Sequence, residues 1–514
     1  MPLDLMMFAA LIGFILLGFP VAFTIAGVAT AFAILGHFTG QMNIALLGAL
    51  AQRLYGVITN DVLIAIPLFV FMGSLLEKSR VAEELLETMG RLFGQLRGGL
   101  GVSVVLVGAL LAASTGIVGA TVVAMGLIAL PAMLRTGYDP RLASGIVCTS
   151  GTLGQIIPPS TLLIILSDVI ANAYQQAQYK QGKFTIETVS VGELFAAALL
   201  PGLTLVALYI TYILLRAWLR PQDAPPVHEK SEGISRKEIF GAILPPILLI
   251  VAVLGAILAG VASPTEAASV GAVGAAIIVG YRHARRPYLL LIGAACLGIL
   301  ILASGIAPVR LQRTDTTAAT WALGGVYAGL AIAGFAAILG SVRLAHVRNI
   351  LVPALTSTMV VTTMIFATIL MASVFSLVFV GLGGEDRIAD FLKSMPGGPT
   401  GALLFAMALV FILGFFLDFV EISVILLPLL APVLLLMGHD PKWLAILFAI
   451  NLQTSFLTPP FGFSLFYLRG AAPPEITTGH IYAGVAPFIA LNLLGMLIVW
   501  FWSPLATWLP SRLF

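Results

Sequence analysis

Charge is what this sequence has least of. Only 10% of its 514 residues are Asp, Glu, Lys or Arg, against 60% hydrophobic, and the mean hydropathy is +1.07. A soluble domain carries about 25% charged residues, so the composition excludes one and specifies an integral membrane protein. The net charge of +3 provides no basic surface for nucleic acid. Cysteine is nearly absent: Cys148 and Cys296 stand alone in apolar surroundings, as small core residues do, which argues against a disulfide or a metal site. The six histidines, at 37, 228, 283, 346, 439 and 480, show no ligand spacing. GxxxxGK[ST], HExxH and GxSxG are all missing, which leaves ATP hydrolysis and protease or hydrolase chemistry without their residues. The opening MPLDLMMFAA lacks a basic start, so a cleaved leader is not expected.

Apolar runs are abundant instead. A helix needs about 20 apolar residues to cross a bilayer. Residues 3–36 would make one helix of roughly 50 Å, and GFP at 18–20 divides it into two short ones. Further spans are predicted at 61–76, 141–166, 193–216, 241–261, 265–281, 288–308, 319–342, 350–380, 442–468 and 481–503. Two stretches, 98–134 and 398–438, are too long for one crossing and carry small or polar residues near their centres: AASTGIVGAT at 112–121 and LDFVEIS at 417–423. Each reads as a re-entrant hairpin whose tip is buried in protein. Charged amphipathic segments at 77–97 and 383–395 precede them and are expected to lie flat at the interface.

An internal repeat orders these elements. Pro131, Gly137, Asp139, Pro140, Pro158 and Pro159 recur as Pro432, Gly438, Asp440, Pro441, Pro459 and Pro460, each 301 positions later. Upstream, Pro20 pairs with Pro264 at a shorter separation, which implies an insertion in the second half. The expected organisation follows. Residues 1–97 are scaffold helices and an amphipathic arm. Residues 98–215 are the first part of a transport domain, with hairpin 98–134 and broken helix 141–166. A linker at 216–240 leads to scaffold helices 241–285, an inserted helix pair 286–348, and a scaffold helix with its arm at 349–397. The second transport part, 398–505, holds hairpin 398–438 and broken helix 442–468. The basic linker and the segments RHARR (282–286) and RLAHVR (343–348) are assigned to the cytoplasm, which puts both termini in the periplasm and inverts the two halves. RLQR at 310–313 falls outside, against the rule.

The broken segments GTLGQIIPPS (151–160) and LQTSFLTPPFG (452–462) place glycine, hydroxyls, amides and paired prolines in the middle of membrane-length runs. Inverted repeats with discontinuous helices set a substrate and ion site at mid-membrane, where free carbonyls coordinate a cation and helix N-termini favour an anion. Each hairpin tip is expected to face the break of its own repeat. Ser114 and Thr115 read as ion ligands or as packing groups bonded to the preceding turn. Asp418 is costly at a hairpin tip unless it serves an ion, an ion pair or an interface. Glu421, three residues on, assists it or orients the tip. Glu266 reads as a helix cap or as transport chemistry; Asp61 and Asp168 read as interfacial, and Arg469 as snorkelling.

Several motifs then resemble one family. LGFPVAF (17–23), TLGQIIPPS (152–160), ASPTEAAS (262–269) and TPPFGFSLF (458–466) are similar to motifs of the large membrane subunit of tripartite ATP-independent periplasmic (TRAP) transporters. The resemblance spans about 1–285 and 349–505. It implies an all-α polytopic membrane protein, an inverted-repeat elevator-type transporter that imports an organic acid with Na⁺ as coupling ion. No other cofactor and no transition metal are expected. It also implies a small four-helix membrane subunit and a periplasmic substrate-binding protein as partners, in a bacterial inner membrane. The family places sodium around hairpin tips and broken helices. Here those positions are Ser114, Thr115, Gly116, Gly151, Thr152, Gly154, Pro158, Pro159, Asp418, Asn451, Thr454, Thr458, Pro459 and Pro460. The chain departs from the family in its inserted pair and in a longer polar loop at 171–193. An ion channel also uses re-entrant loops, but opposed broken hairpins fit alternating access better. A membrane enzyme is disfavoured because no acid, base and nucleophile set converges.

Overall fold

The computed structural model describes residues 2–116, 118–227, 236–309 and 318–514. All regular structure among them is helical, and nine helices are long and apolar enough to cross a membrane. The break at GFP separates Leu3–Leu16 from Val21–Phe38. A short helical segment, Ile44–Ile58, then meets Asp61–Lys78 at a bend of 48°. The amphipathic arms are Val81–Phe93 and Gly384–Lys393. In the first, Val81, Ala82, Leu85, Leu86 and Gly90 form the buried stripe, at the spacing of one helix face.

The six repeated positions do the same local work in both halves. Asp139 and Asp440 cap the helices Pro140–Thr152 and Pro441–Leu457 through their carboxylates, and Pro140 and Pro441 occupy the first helical position, where no N–H is needed. Gly137 and Gly438 take positive φ (85° and 95°) in the turns before those caps, a conformation in which a Cβ is strained. Pro131 and Pro432 lie inside the second arm of each hairpin. The Pro158–Pro159 and Pro459–Pro460 peptide bonds are both cis.

Packing exchanges the halves. The second arm of the first hairpin, Val118–Arg135, packs on Phe463–Ala471, which follows the second break. Reciprocally Leu427–Leu436, in the second hairpin, packs on Thr161–Lys180, which follows the first. The scaffold is exchanged too: Pro264–His283 lies on Asp61–Lys78, and Leu351–Gly381 on Val21–Phe38. One core therefore runs through both halves. The 18-residue segment Phe419–Leu436 is 89% buried, whereas the inserted helices Pro287–Ile306 and Ala318–Val347 are only 11% buried. The inserted pair thus sits at the periphery, against Pro264–His283. Gly280 meets Ser341 and Gly293 meets Ala337 so closely that a Cβ on either glycine would stand 2.4 or 2.3 Å from its neighbour.

Several expectations are corrected. Residues 171–193 are not a loop: helix Thr161–Lys180 runs through the first half of that stretch. Its Ala and Gln residues are competent helix formers, and Gln178 closes the following turn by donating to the Glu187 carbonyl (2.8 Å) and accepting from the Glu187 amide (2.9 Å). The second arm of the second hairpin is not one α-helix but Phe419–Glu421, a π-helical turn Ile422–Leu426 and Leu427–Leu436. The C-terminal helix Pro504–Leu513, packed on Val191–Leu219, is absent from the sequence reading. Linker residues 228–235 and RLQR at 310–313 lie outside the described residues.

Candidate functional site

The first break is built by local sequence. Helix Pro140–Thr152 tightens into a 3₁₀ turn at Leu153–Gln155, and the chain then bends through Ile157, Pro158 and Pro159, the prolines having no N–H to continue a helix. Ser160 restarts helix at Thr161–Lys180: its hydroxyl caps the new N-terminus and donates to the Gln155 carbonyl at 2.9 Å. Gly151, Thr152, Gly154, Pro158 and Pro159 are all buried. The Gly151 backbone touches hairpin arm Val118–Arg135 so closely that a Cβ would stand 2.4 Å from Val122. The Thr152 hydroxyl is already committed to the Thr149 carbonyl, 2.9 Å away.

The first hairpin tip closes on this break. Gly116, with φ +61°, lies where a Cβ would be 2.6 Å from Thr161 Oγ1, so only glycine allows the approach. The side chains of Ser114 and Thr115 lie outside what the structure describes. The second tip approaches its own break through aromatics, Phe416 and Phe461 at 5.4 Å between ring centroids.

Asp418 and Glu421 form a reciprocal cap at the second tip. Asp418 Oδ1 accepts from the Phe419 amide at 2.7 Å, and Glu421 Oε2 accepts from the Asp418 amide at 2.9 Å. The second break is held by its own set of bonds. Asn451 donates to the Met407 carbonyl and Ser455 to the Phe411 carbonyl, 2.8 and 2.7 Å, tying helix Pro441–Leu457 to hairpin arm Gly398–Leu413. Thr454 and Thr458 donate back to Ile450 and Thr454 carbonyls, both at 2.7 Å. Pro459 is half-buried and Pro460 exposed, whereas Pro158 and Pro159 are enclosed. The two breaks thus share a cis Pro–Pro bond and differ in how the helix before it ends and in access.

The residues missing from the sequence reading are the ones left without partners. Among the described residues, Thr149 Oγ1, Thr161 Oγ1, Ser423 Oγ, Gln453 Oε1 and both polar atoms of Gln155 are buried with no hydrogen bond in the protein. They sit around the two breaks and just past the second tip. An orphaned buried polar group costs about 1–3 kcal/mol, so a cluster of them marks a place that something else fills. Gln155 and Gln453 were visible as amides inside apolar spans, but their lack of partners was not. Deeper in, Gln453 donates to the Tyr209 hydroxyl at 3.2 Å, and Tyr209 donates to Asn492 Oδ1. That buried chain joins Val191–Leu219, Thr478–Phe501 and the second broken helix.

Other candidates resolve otherwise. Glu266 is a cap, in a reciprocal box with Ser263. Asp168 is not merely interfacial: it accepts from Asn60 Nδ2 at 2.8 Å, across the junction between Asp61–Lys78 and Thr161–Lys180. The Asp61 carbonyl accepts from Thr265 at 2.6 Å. Arg469 donates to the Ile476 carbonyl. No group of three or more His, Cys, Asp or Glu side chains with metal-holding geometry occurs among the described residues, so the available donors are hydroxyls, amides and backbone carbonyls.

Comparison with known proteins agrees with this architecture. The family described as tripartite ATP-independent periplasmic transporter, DctM component, matches residues 8–289 and 283–505. The C4-dicarboxylate TRAP transporter large permease protein of Vibrio cholerae is 26% identical, over 99% of this chain and 97% of its own length. The ectoine TRAP transporter large permease protein of Halomonas elongata is 25% identical over 99% of both chains. The sialic acid TRAP transporter large permease protein of Vibrio cholerae is 25% identical over 94% of both. These relatives are named as transporter permeases, not enzymes. Among solved structures, the YdaH transporter of Alcanivorax borkumensis shares the fold, with TM-score 0.54 and 16% identity over 91% of this chain and 89% of that one. A polytopic helical chain with paired breaks and hairpins, matched over nearly its whole length, belongs to the DctM family as the large membrane subunit of a TRAP transporter.

Proposed function

We propose that this subunit imports an organic acid across a bacterial inner membrane, driven by Na⁺, by an elevator movement of the hairpins and broken helices against the scaffold. The observation that carries the reading is the set of unpartnered buried oxygens and amides at the two breaks. Hard oxygen donors in a dry interior suit a small alkali cation, and free carbonyls at a broken helix add to them. The ligand positions proposed are the backbone at Gly116 and Gly151–Gly154, with Thr152, Ser114 and Thr115 beside them, and the matching segment from Asn451 and Thr454 to Thr458. Pro158, Pro159, Pro459 and Pro460 keep those segments out of helix. Asp418 and Glu421 hold the second tip in shape, and Thr161, Gln155 and Ser423 extend the polar lining. The helix N-terminus at Thr161 favours the substrate carboxylate.

The elevator reading rests on the junction between the two parts. It carries discrete polar contacts, Lys180 with Glu385 at 2.6 Å and Asn60 with Asp168, the latter at a cleft of about 300 Å³ lined by Val62, Asp168, Ser190, Ile257 and Pro264. A small membrane subunit and a periplasmic binding protein complete the transporter, the second selecting the substrate. The relatives are named for dicarboxylates, sialic acid and ectoine, solutes that bear a carboxylate. The basic segments at 282–286 and 343–348 support a cytoplasmic side for those loops and a periplasmic one for both termini. Solute counterflow in proteoliposomes containing all three subunits tests the reading. Saturable exchange that needs Na⁺ supports it; ion conductance without exchange contradicts it.

A further inference from the structure

A second polar constellation lies apart from the breaks, at one end of the inserted helix pair. The link between Pro264–His283 and Pro287–Ile306 meets the end of Ala318–Val347 there. Between them is an open cleft of about 540 Å³, lined by His283, Arg285, Arg286 and Arg348 together with Leu290 and Val347, the three arginines being exposed. The close glycine contacts Gly280–Ser341 and Gly293–Ala337 hold the two walls in place.

The cations in this cavity lack counter-charge. Glu84 is taken by the neighbouring Arg282 at 2.7 Å, while Arg285, Arg286 and Arg348 have no acidic partner among the described residues. His283 Nε2 is enclosed and unbonded. Three exposed guanidiniums around one open space favour an anion, the guanidinium fork matches phosphate oxygens, and the unbonded His283 nitrogen offers one further hydrogen bond. The cavity also opens onto apolar surface: Leu289 and Val347 are 52% and 67% exposed, on helices whose outer faces are apolar. A ligand that satisfies both sides has an anionic head and a hydrocarbon tail.

We propose that this cavity binds the phosphate headgroup of an anionic phospholipid, with the acyl chains running along Leu289 and Val347. The inserted pair then builds a lipid site that the scaffold alone does not have. Basic pockets between membrane helices hold such headgroups, each arginine adding a share of the attraction.

The test uses the purified full chain and three probes: dioctanoyl phosphatidylglycerol, dioctanoyl phosphatidylcholine and inorganic phosphate. Phosphatidylglycerol is expected to bind saturably, about tenfold or more tighter than the other two. The combined R285Q/R286Q/R348Q variant is expected to lose that preference, and R285K/R286K/R348K to keep most of it. Equal binding of phosphatidylglycerol by the glutamine variant and the wild type overturns the site. Inorganic phosphate binding as tightly as the lipid overturns the lipid assignment. If the glutamine variant does not fold, the wild-type comparison of the three probes decides alone, with a missing headgroup preference counting against the proposal.

Discussion

Asp418 and Glu421 stand at the second hairpin tip, where a membrane carboxylate is expensive, and the structure gives them a definite occupation. Each oxygen that caps a backbone N–H lowers the cost of leaving that amide bare. Asparagine caps a helix about as well as aspartate, and alanine costs about 0.5–2 kcal/mol. Asp418→Asn is therefore expected to keep sodium-dependent uptake within about threefold of wild type, on the strength of that equivalence. Asp418→Ala should lower thermal stability by about that capping energy. Loss of sodium dependence in a well-folded Asp418→Asn protein would make the charge itself a ligand. Gln155 belongs to the other class, with both polar atoms free in the interior. A hydrogen bond or dipole serving a charge is worth about 1.5–3 kcal/mol. Gln155→Leu should raise the sodium concentration for half-maximal uptake by about tenfold or more. Unchanged sodium dependence would remove Gln155 from the polar lining.

At the scale of elements, two kinds of contact have opposite expectations. Ser455 and Asn451 tie a broken helix to its own hairpin and should move with it as one body. Ser455→Ala leaves the Phe411 carbonyl without its donor, so it should cost about 1–3 kcal/mol of stability, read as a lower melting temperature. No change in melting would mean that the carbonyl finds another partner. Asn60 and Asp168 face each other across the junction, and the proposed elevator stroke would separate them. In a background with Cys148 and Cys296 replaced, Asn60→Cys with Asp168→Cys should cross-link on oxidation, stop uptake, and recover on reduction. Uptake that continues through a complete cross-link would show that this junction does not slide. The same elements show what the sequence carries legibly. Gly137, Asp139 and Pro140, with their partners 301 residues on, are types whose work is backbone geometry, so their recurrence could be read directly. The breaks at Pro158 and Pro459 were legible for the same reason. Thr149, Thr161 and Gln453 were not, because an orphaned hydroxyl or amide is a property of its three-dimensional surroundings. The polar run 171–180 misled because Gln and Ala carry no apolar period to announce a helix.

The whole molecule is two inverted halves exchanged into one core, with two breaks that share a cis Pro–Pro bond and differ in access. Pro158 and Pro159 are enclosed while Pro460 is open. Exchange of arms between halves packs the hairpins and broken helices against one another, so the proposed stroke should carry both breaks together and change which one is exposed. The most direct test of the central claim is uptake of a carboxylate substrate into proteoliposomes holding this subunit, its small membrane partner and its binding protein. The lumen should be free of Na⁺, with an inward Na⁺ gradient or an equal gradient of K⁺ imposed from outside. Accumulation above equilibrium with Na⁺ and none with K⁺ is the result expected. Equal accumulation under both gradients, or none under either with a demonstrably assembled complex, would contradict sodium-driven transport.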